Sequence, residues 1–459
     1  MKDLLIIGGG PGGYVAAIRA RQLGMDVSLF EQDKLGGTCL NRGCIPTKAY
    51  YKNAEVLRTV QRLSDYNIRC MDVQFNLAMA KGRKDGIVDK LVAGVDSLLK
   101  ANGVEVIKGQ AELLDQSTVR ANGQEYSGRK ILLASGSETV RLPIPGIDLP
   151  GVVTSTELLD QEELPARMVI IGAGVVGLEL ACIFNSFGAQ VTVLEAADHI
   201  LGSLDSELAK RMNIFLKRQG ISVHTGCQVQ EIQPVQEHLA VLYRDKKDIQ
   251  QIETHLVLTA AGRKAATDGL HLNQLGIVNE RGFIKVDENF ETSVKGIYAI
   301  GDVIGGQMLA HVASEEAIVA VERMNGLDNR VAYHAVPACI FTFPEIATVG
   351  MSEDEAKQQG IACKVGKFQF AGNGKAMTMG ETDGLVKVIA DQDDRIIGVH
   401  ILGPHASDLI LEATLMVKNH MGVEEIRGTI HPHPTLGESL AEAISDIKGE
   451  SIHLLPRRK

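Results

Sequence analysis

Residues 4–13 read Leu4-Leu5-Ile6-Ile7-Gly8-Gly9-Gly10-Pro11-Gly12-Gly13, a short apolar run that ends in a glycine-rich turn. A helical stretch follows to Gly24, then a second apolar run, Val27 to Phe30, and the acid Glu31. An apolar run of this length reads as a buried strand, and the turn opens a helix. Each glycine has a distinct job. Gly8 permits the tight turn, Gly10 lets the backbone approach a pyrophosphate, and Gly13 lets helix and strand pack closely, with the helix N-terminus facing the phosphate charge. The plan recurs at residues 168–195: the run Met168 to Ile171, then Gly172, Gly174 and Gly177, a helix to Gly188, the run Val191 to Leu194, and Glu195. From first glycine to acid the distance is 23 residues in both copies. One such turn is a weak signal; two, each after a strand, opening a helix and followed by an acid, mark a repeated nucleotide-binding unit.

Between the copies, Ile87, Val88, Leu91, Val92, Val95, Leu98 and Leu99 fall at helical spacing and predict one buried helix face. Residues 104–134 read as short strands ending in the run Ile131 to Ala134, and 143–151 as a boundary rich in proline and glycine. A further strand, Ile297 to Ile300, ends at Gly301 and Asp302, and 327–337 reads as a linker. Beyond it, strand and helix patterns alternate without a glycine-rich turn. The expected fold class is α/β, with two Rossmann-like dinucleotide-binding domains and a C-terminal α+β domain.

A chain of 459 residues calls for more than one core. With 45% hydrophobic and 23% charged residues it has a globular composition, and a formal charge of -10 disfavours nucleic acid as a partner. The most apolar stretch, 168–188, is interrupted by Glu179 and by glycines, so no membrane partner is expected. The ordered pattern begins at Asp3, which makes the cytoplasm the expected compartment. The basic end, Arg457, Arg458 and Lys459, reads as a solvated tail.

Glu195 sits where a nucleotide's ribose diol would bind. A carboxylate there repels the extra phosphate of NADP, and the next residues, Ala196, Ala197 and Asp198, supply no arginine. The expected nicotinamide cofactor is NAD.

Seven cysteines are too few for a disulfide scaffold in a chain of this length, but Cys39 and Cys44 lie close together in Gly36-Gly37-Thr38-Cys39-Leu40-Asn41-Arg42-Gly43-Cys44-Ile45-Pro46-Thr47-Lys48. Five residues of regular helix would rotate the two sulfurs by about 500° and point them apart. If they pair, the helix must be interrupted between them, and Gly43 supplies the freedom for that. A zinc site would need further close ligands, two unpaired core cysteines would suit another setting better, and a purely structural disulfide does not suit the cytoplasm. Redox activity is the favoured reading. Cys70, Cys182, Cys227, Cys339 and Cys363 are scattered and are expected to be small buried apolar residues.

These stretches closely resemble the pyridine nucleotide–disulfide oxidoreductase family. The resemblance is carried by GGGPGG at 8–13, GGTCLNRGCIPTK at 36–48, GAGVVGLE at 172–179, AAGRK at 260–264, IYAIGD at 297–302, MLAH at 308–311 and HPHPTLGE at 431–438. It implies an FAD-binding domain over 1–143 and again over 266–335, an NAD-binding domain over 144–265 and a dimerisation domain over 336–459. Its cofactors would be FAD and NAD, with no metal. Gly8, Gly10, Gly13 and Glu31 would hold FAD, together with Gly37, Thr38, Ala111, Ser135, Gly136, Asp302 and the loop Met308, Leu309, Ala310 and His311. Gly172, Gly174, Gly177, Glu195, Val229 and Gly262 would hold NAD. Cys39 and Cys44 would be the redox pair and Lys48 with Glu179 an ion pair beside the flavin. His433 and Glu438 would form a base dyad reaching the partner subunit's disulfide in a homodimer, with His431 a nearby decoy.

The implied activity is oxidation of a protein-bound dihydrolipoamide, with a lipoyl-bearing protein of a 2-oxo acid dehydrogenase complex or of the glycine cleavage system as partner. Another NADH-dependent disulfide reductase and a non-catalytic flavin-binding subunit are the alternatives. Glu195 disfavours relatives that use NADP, and the absence of any cysteine after Cys363 disfavours those with a C-terminal cysteine pair. Arg42 departs from the commoner valine; it either favours the thiolates or points to solvent.

Overall fold

The strand Lys2–Ile7 lies at the centre of a parallel array, hydrogen-bonded to Val27–Glu31 on one side and Gln124–Leu133 on the other. Glu105–Lys108 extends the array beyond the first neighbour and Ile297–Ala299 beyond the second, both in parallel. Leu4, Leu5 and Ile6 are fully buried, because helices and strands cover both faces of such a sheet and the sequence is then apolar without alternation. The computed structural model describes residues 1–245 and 248–455, so the basic tail lies outside the described residues.

The second unit repeats the design. Arg167–Ile171 pairs in parallel with Gln190–Glu195 and Leu256–Thr259, flanked by Ser222–Thr225 and Val152–Val153. The third part is an antiparallel sheet in the order Ala338–Ile340, Glu345–Gly350, Ile396–Gly403, Leu385–Ala390, Lys364–Gln369, with the helices Ala406–Lys418 and Glu438–Asp446 packed on it. Ile297–Ala299 joins the first sheet although it follows the second unit in sequence, so the first nucleotide-binding body is assembled from two separate stretches of chain.

The third glycine of each turn is required by contact. A Cβ on Gly13 would lie 1.7 Å from the Gly8 carbonyl oxygen, and one on Gly177 would lie 2.1 Å from that of Gly172.

One core unites the parts. The helix Val175–Phe187 is buried nearly all round and packs against Tyr50 and Ala54 of the helix Cys44–Gln61, with Ile340, Ile346 and Leu402 of the third part in the same cluster. A buried charge node also ties the second unit to the third: Lys387 Nζ lies 2.7 Å from Asp205 Oδ2 and 2.7 Å from Glu353 Oε2.

Two expectations need correction. The helix Leu77–Ala101 forms, but its buried stripe is narrower than predicted, running through Lys84, Val88, Val95 and Leu99. Leu91 and Leu98 fall off that stripe and are 41% and 53% exposed. Cys182 and Cys227 are buried as expected, but Cys339 and Cys363 are only half-buried, and Cys70 is exposed, since it lies in the irregular segment between two helices rather than in an element.

Candidate active site

The chain between the two cysteines is broken where the sequence places Gly43. One helix, Gly37–Arg42, carries Cys39; the next, Cys44–Gln61, begins at Cys44, with Gly43 between them. A Cβ at Gly43 would sit 3.1 Å from the Thr38 carbonyl oxygen, so this close approach suits glycine. Both cysteines are free thiols, Cys39 half-buried and Cys44 exposed. They act as a pair. The Cys39 thiol donates a hydrogen bond to the Cys44 sulfur, which lowers the Cys44 pKa; burial opposes the shift, and Lys48 adds to it. The result is a Cys44 pKa of about 7, against an ordinary 9.0. Cys39 is pushed up by the same hydrogen bond and by burial. Cys44 also begins its helix, where the helix dipole favours an anion.

Lys48 stands one turn further along. Its Nζ is 2.9 Å from Glu179 Oε2 and 3.1 Å from Oε1. Glu179 is buried at 5% side-chain exposure, and its Oε1 also accepts the Phe341 N–H at 2.9 Å. Lys48 Nζ lies 4.4 Å from the centre of the Phe341 ring. Residues from all three parts of the chain therefore meet at one ion pair. Phe341 was missed in the sequence; only the apolar run 338–341 pointed to it.

The first glycine turn forms the expected cradle. Gly10 is open, its added Cβ meeting only the Gly37 Cα at 3.8 Å, while a Cβ on Gly37 would come within 2.7 Å of the Gly10 Cα. Glu31 accepts the Gly9 N–H at 2.7 Å and the Asp33 N–H at 2.8 Å. Burial raises the Glu31 pKa, opposed by the Gly9 N–H, the Gln32 backbone and the Arg42 charge. The Ser135 hydroxyl is buried beside Gly136 with no hydrogen-bond partner. An orphaned donor, an open glycine and a carboxylate at the strand end fit a dinucleotide such as FAD.

Asp302 accepts the Ser137 hydroxyl at 2.5 Å, and Ser137 in turn accepts Arg263 Nε at 2.7 Å. This bridge to the second unit was not foreseen, although Arg263 lies in the AAGRK stretch. Met308 and Leu309 lead into the helix Ala310–Met324, and His311 Nε2 lies 2.8 Å from the Pro337 carbonyl oxygen. Ala111 is buried in a separate antiparallel strand of the first unit. Thr38 lies in the short Cys39 helix. Arg42 pairs with Asp33, beside Glu31 and not at the sulfurs.

The second turn opens on a cavity of about 830 Å³ whose lining includes Gly172, Gly174, Glu195, Val229, Gly262 and Arg263. Glu195 repeats the pattern of Glu31, accepting the Ala173 N–H at 2.6 Å and the Ala197 N–H at 2.7 Å. Gly177 lies under the cavity, against Gly172. Among the described residues no lysine lines the cavity, and the one arginine that does, Arg263, is engaged with Ser137.

His433 Nδ1 lies 2.9 Å from Glu438 Oε1, and Glu438 Oε2 accepts the Thr435 N–H at 2.9 Å. Burial raises the Glu438 pKa, but the Thr435 N–H and His433 outweigh it and hold the carboxyl below its ordinary value. The His433 side chain is 78% exposed. Among the described residues, no hydrogen bond or ion pair joins either cysteine to His433 or Glu438 within the chain.

Residues 2–317 match the model described as pyridine nucleotide-disulphide oxidoreductase, and residues 336–444 match that family's dimerisation domain, which implies a homodimer. A dihydrolipoyl dehydrogenase of Bacillus subtilis is 42% identical, over 98% of this chain and 99% of its own. A mitochondrial dihydrolipoyl dehydrogenase of Caenorhabditis elegans is 41% identical, over 96% and 91%. Among solved structures, the HOCl-induced flavoprotein disulfide reductase RclA of Escherichia coli superposes with a TM-score of 0.87 at 31% identity, covering 96% of this chain and 99% of that one. LpdA of Mycobacterium tuberculosis gives 0.90 at 26% identity, over 97% and 99%. Members of this family bind FAD and use a nicotinamide nucleotide, and no helix among the described residues is long and apolar enough to cross a membrane. The chain belongs to the pyridine nucleotide–disulphide oxidoreductase family.

Proposed function

We propose that the protein is a dihydrolipoyl dehydrogenase, oxidising the dihydrolipoamide of a lipoyl-bearing protein with NAD. The observation that carries this reading is the placement of Cys39 and Cys44 on either side of the helix break at Gly43, with the Lys48–Glu179 ion pair one turn beyond Cys44. The family's dihydrolipoyl dehydrogenases at about 40% identity over nearly the whole chain support the substrate class.

The steps assigned to this chain are as follows. With Nδ1 held by Glu438, His433 takes a proton from one substrate thiol at Nε2. The substrate thiolate attacks Cys39 in the oxidised pair, the Cys39–Cys44 bond breaks, and Cys44 leaves as a thiolate. A leaving group whose pKa is about 7 favours that direction. The second substrate thiol then displaces Cys39 from the mixed disulfide, and its proton passes to Cys39, which leaves as the thiol. Gly8, Gly10, Gly13, Glu31, Ser135 and Asp302 would hold FAD, which when bound would supply two-electron chemistry between the thiolate and the nicotinamide. Lys48 and Glu179 keep a positive charge near Cys44. The second cradle, with Glu195 at its edge, would orient NAD, and its carboxylate would repel the extra phosphate of NADP.

The test is steady-state turnover of the purified holoenzyme with dihydrolipoamide and NAD, beside NADH-driven reduction of glutathione and coenzyme A disulfides. Preferred turnover of dihydrolipoamide is expected; preference for another disulfide would overturn the assignment.

A further inference from the structure

The helix Glu438–Asp446 carries two carboxylates one turn apart, Glu438 and Glu442, and each holds an imidazole by Nδ1. The first is the His433 dyad. In the second, His453 Nδ1 lies 2.7 Å from Glu442 Oε1, and the His453 N–H donates to Oε2 at 3.2 Å. The Ser451 hydroxyl donates to the same carboxylate. The segment 448–450 is fastened by Lys448, 2.8 Å from Glu424 and 3.2 Å from Asp394, and by the pair of Arg427 with Glu450.

A carboxylate only accepts, so Nδ1 carries the proton in both rings and Nε2 is left to exchange. His431 differs: its two ring nitrogens contact Glu412 Oε1 at 3.0 Å and the Thr429 carbonyl oxygen at 3.1 Å, and its side chain is 12% exposed. His453 is 69% exposed, and when protonated its charge helps to hold the Glu438 carboxyl below its ordinary value. Two imidazoles are therefore held through Nδ1 by carboxylates one turn apart on the same helix.

Oxidising a dithiol with NAD removes two thiol protons and two electrons. One hydride's worth enters NADH, and one proton per turnover must reach solvent. Resting on the reading of His433 as the base, we propose that His453, oriented by Glu442, is the outlet for that proton. The N–H bond at His433 Nε2 breaks, the proton passes through intervening solvent to His453 Nε2, and His453 releases it to bulk water. His453 touches neither substrate nor cofactor; it is a positioning residue acting through the base.

The test uses the dimeric holoenzyme carrying His453→Asn, which retains a donor for Glu442 but does not titrate. Turnover is measured in dilute buffer with and without added imidazole, alongside melting temperature and the flavin spectrum. We expect kcat to fall about three- to tenfold with KM for dihydrolipoamide unchanged, and soluble imidazole to restore most of the loss. His453→Gln should behave alike. Full activity without imidazole, or a loss that imidazole leaves in place, would overturn the proposal. His433→Ala, assayed in parallel, separates the two readings. If it keeps native turnover, the base assignment fails; if it is crippled while His453→Asn is native, only the outlet fails.

Discussion

Lys48 Nζ sits 2.9 Å from Glu179 Oε2, joining the cysteine-bearing helix of the first nucleotide-binding body to the helix that follows the second glycine turn. Glu179 is buried and also receives the Phe341 N–H from the third part. The pair thus fixes three bodies at the point where the redox thiol stands, and its cation is one of the charges that lower the Cys44 pKa.

The first prediction concerns pH. A thiol gains its charge as pH rises through its pKa, so Cys44 should be mostly thiolate above about 7 and mostly thiol below it. Lys48→Met should move this midpoint upward, toward the ordinary 9.0, although the Cys39 hydrogen bond remains. Thiolate ultraviolet absorbance of the reduced holoenzyme against pH checks it. An unmoved midpoint would show that Lys48 does not act on Cys44.

The second separates the roles of the cysteines. The largest cause of the lowered Cys44 pKa is the hydrogen bond from Cys39. Cys39→Ser keeps a donor and Cys39→Ala does not, so Cys44 should titrate higher in the alanine variant than in the serine variant. Both should keep a thiolate–flavin absorption band, and Cys44→Ser should lack it. The reverse pattern would mean that the inner and outer sulfurs are interchanged.

The third concerns the nicotinamide. Glu195 lines the 830 Å³ cavity and receives the Ala173 and Ala197 N–H groups. NAD should exceed NADP in kcat/KM by about tenfold or more, ~1.4 kcal/mol. Glu195→Arg should narrow that ratio, chiefly by losing NAD, because two backbone donors lose their acceptor. Equal use of both cofactors by the native enzyme would contradict the assignment.

The fourth concerns assembly. The chain places His433 on an exposed surface of its own third part, with no bond to its own cysteines. A two-fold dimer completes two equivalent sites at once. Mixing a His433→Ala chain with a Cys44→Ser chain, each nearly inactive, should restore turnover, since a mixed dimer holds one intact site and one doubly damaged site. Heterodimers without activity would contradict a shared site.

Much of this was legible in the sequence because glycine contacts are local. The Gly8–Gly13 and Gly172–Gly177 spacings translate directly into the carbonyl contacts that exclude a side chain. The break at Gly43 was legible for the same reason, since two helices cannot share sulfurs across a continuous turn. Phe341, Ser137 and the His453–Glu442 pair were not, because each depends on tertiary contact between distant stretches and carries no motif. The stripe on Leu77–Ala101 was overdrawn for a related reason. Periodicity shows which side of a helix is apolar, but the neighbouring bodies decide how much of that side is covered, and Leu91 and Leu98 stay exposed.

The central claim is that electrons from the dithiol reach the flavin only through Cys39 and Cys44. It is tested most directly by rapid anaerobic mixing of the oxidised holoenzyme with dihydrolipoamide while flavin absorbance is followed. The native protein should develop the thiolate–flavin band and yield NADH when NAD is added, whereas Cys39→Ser and Cys44→Ser should leave the flavin oxidised. Reduction of the flavin in either variant at the native rate would contradict the account.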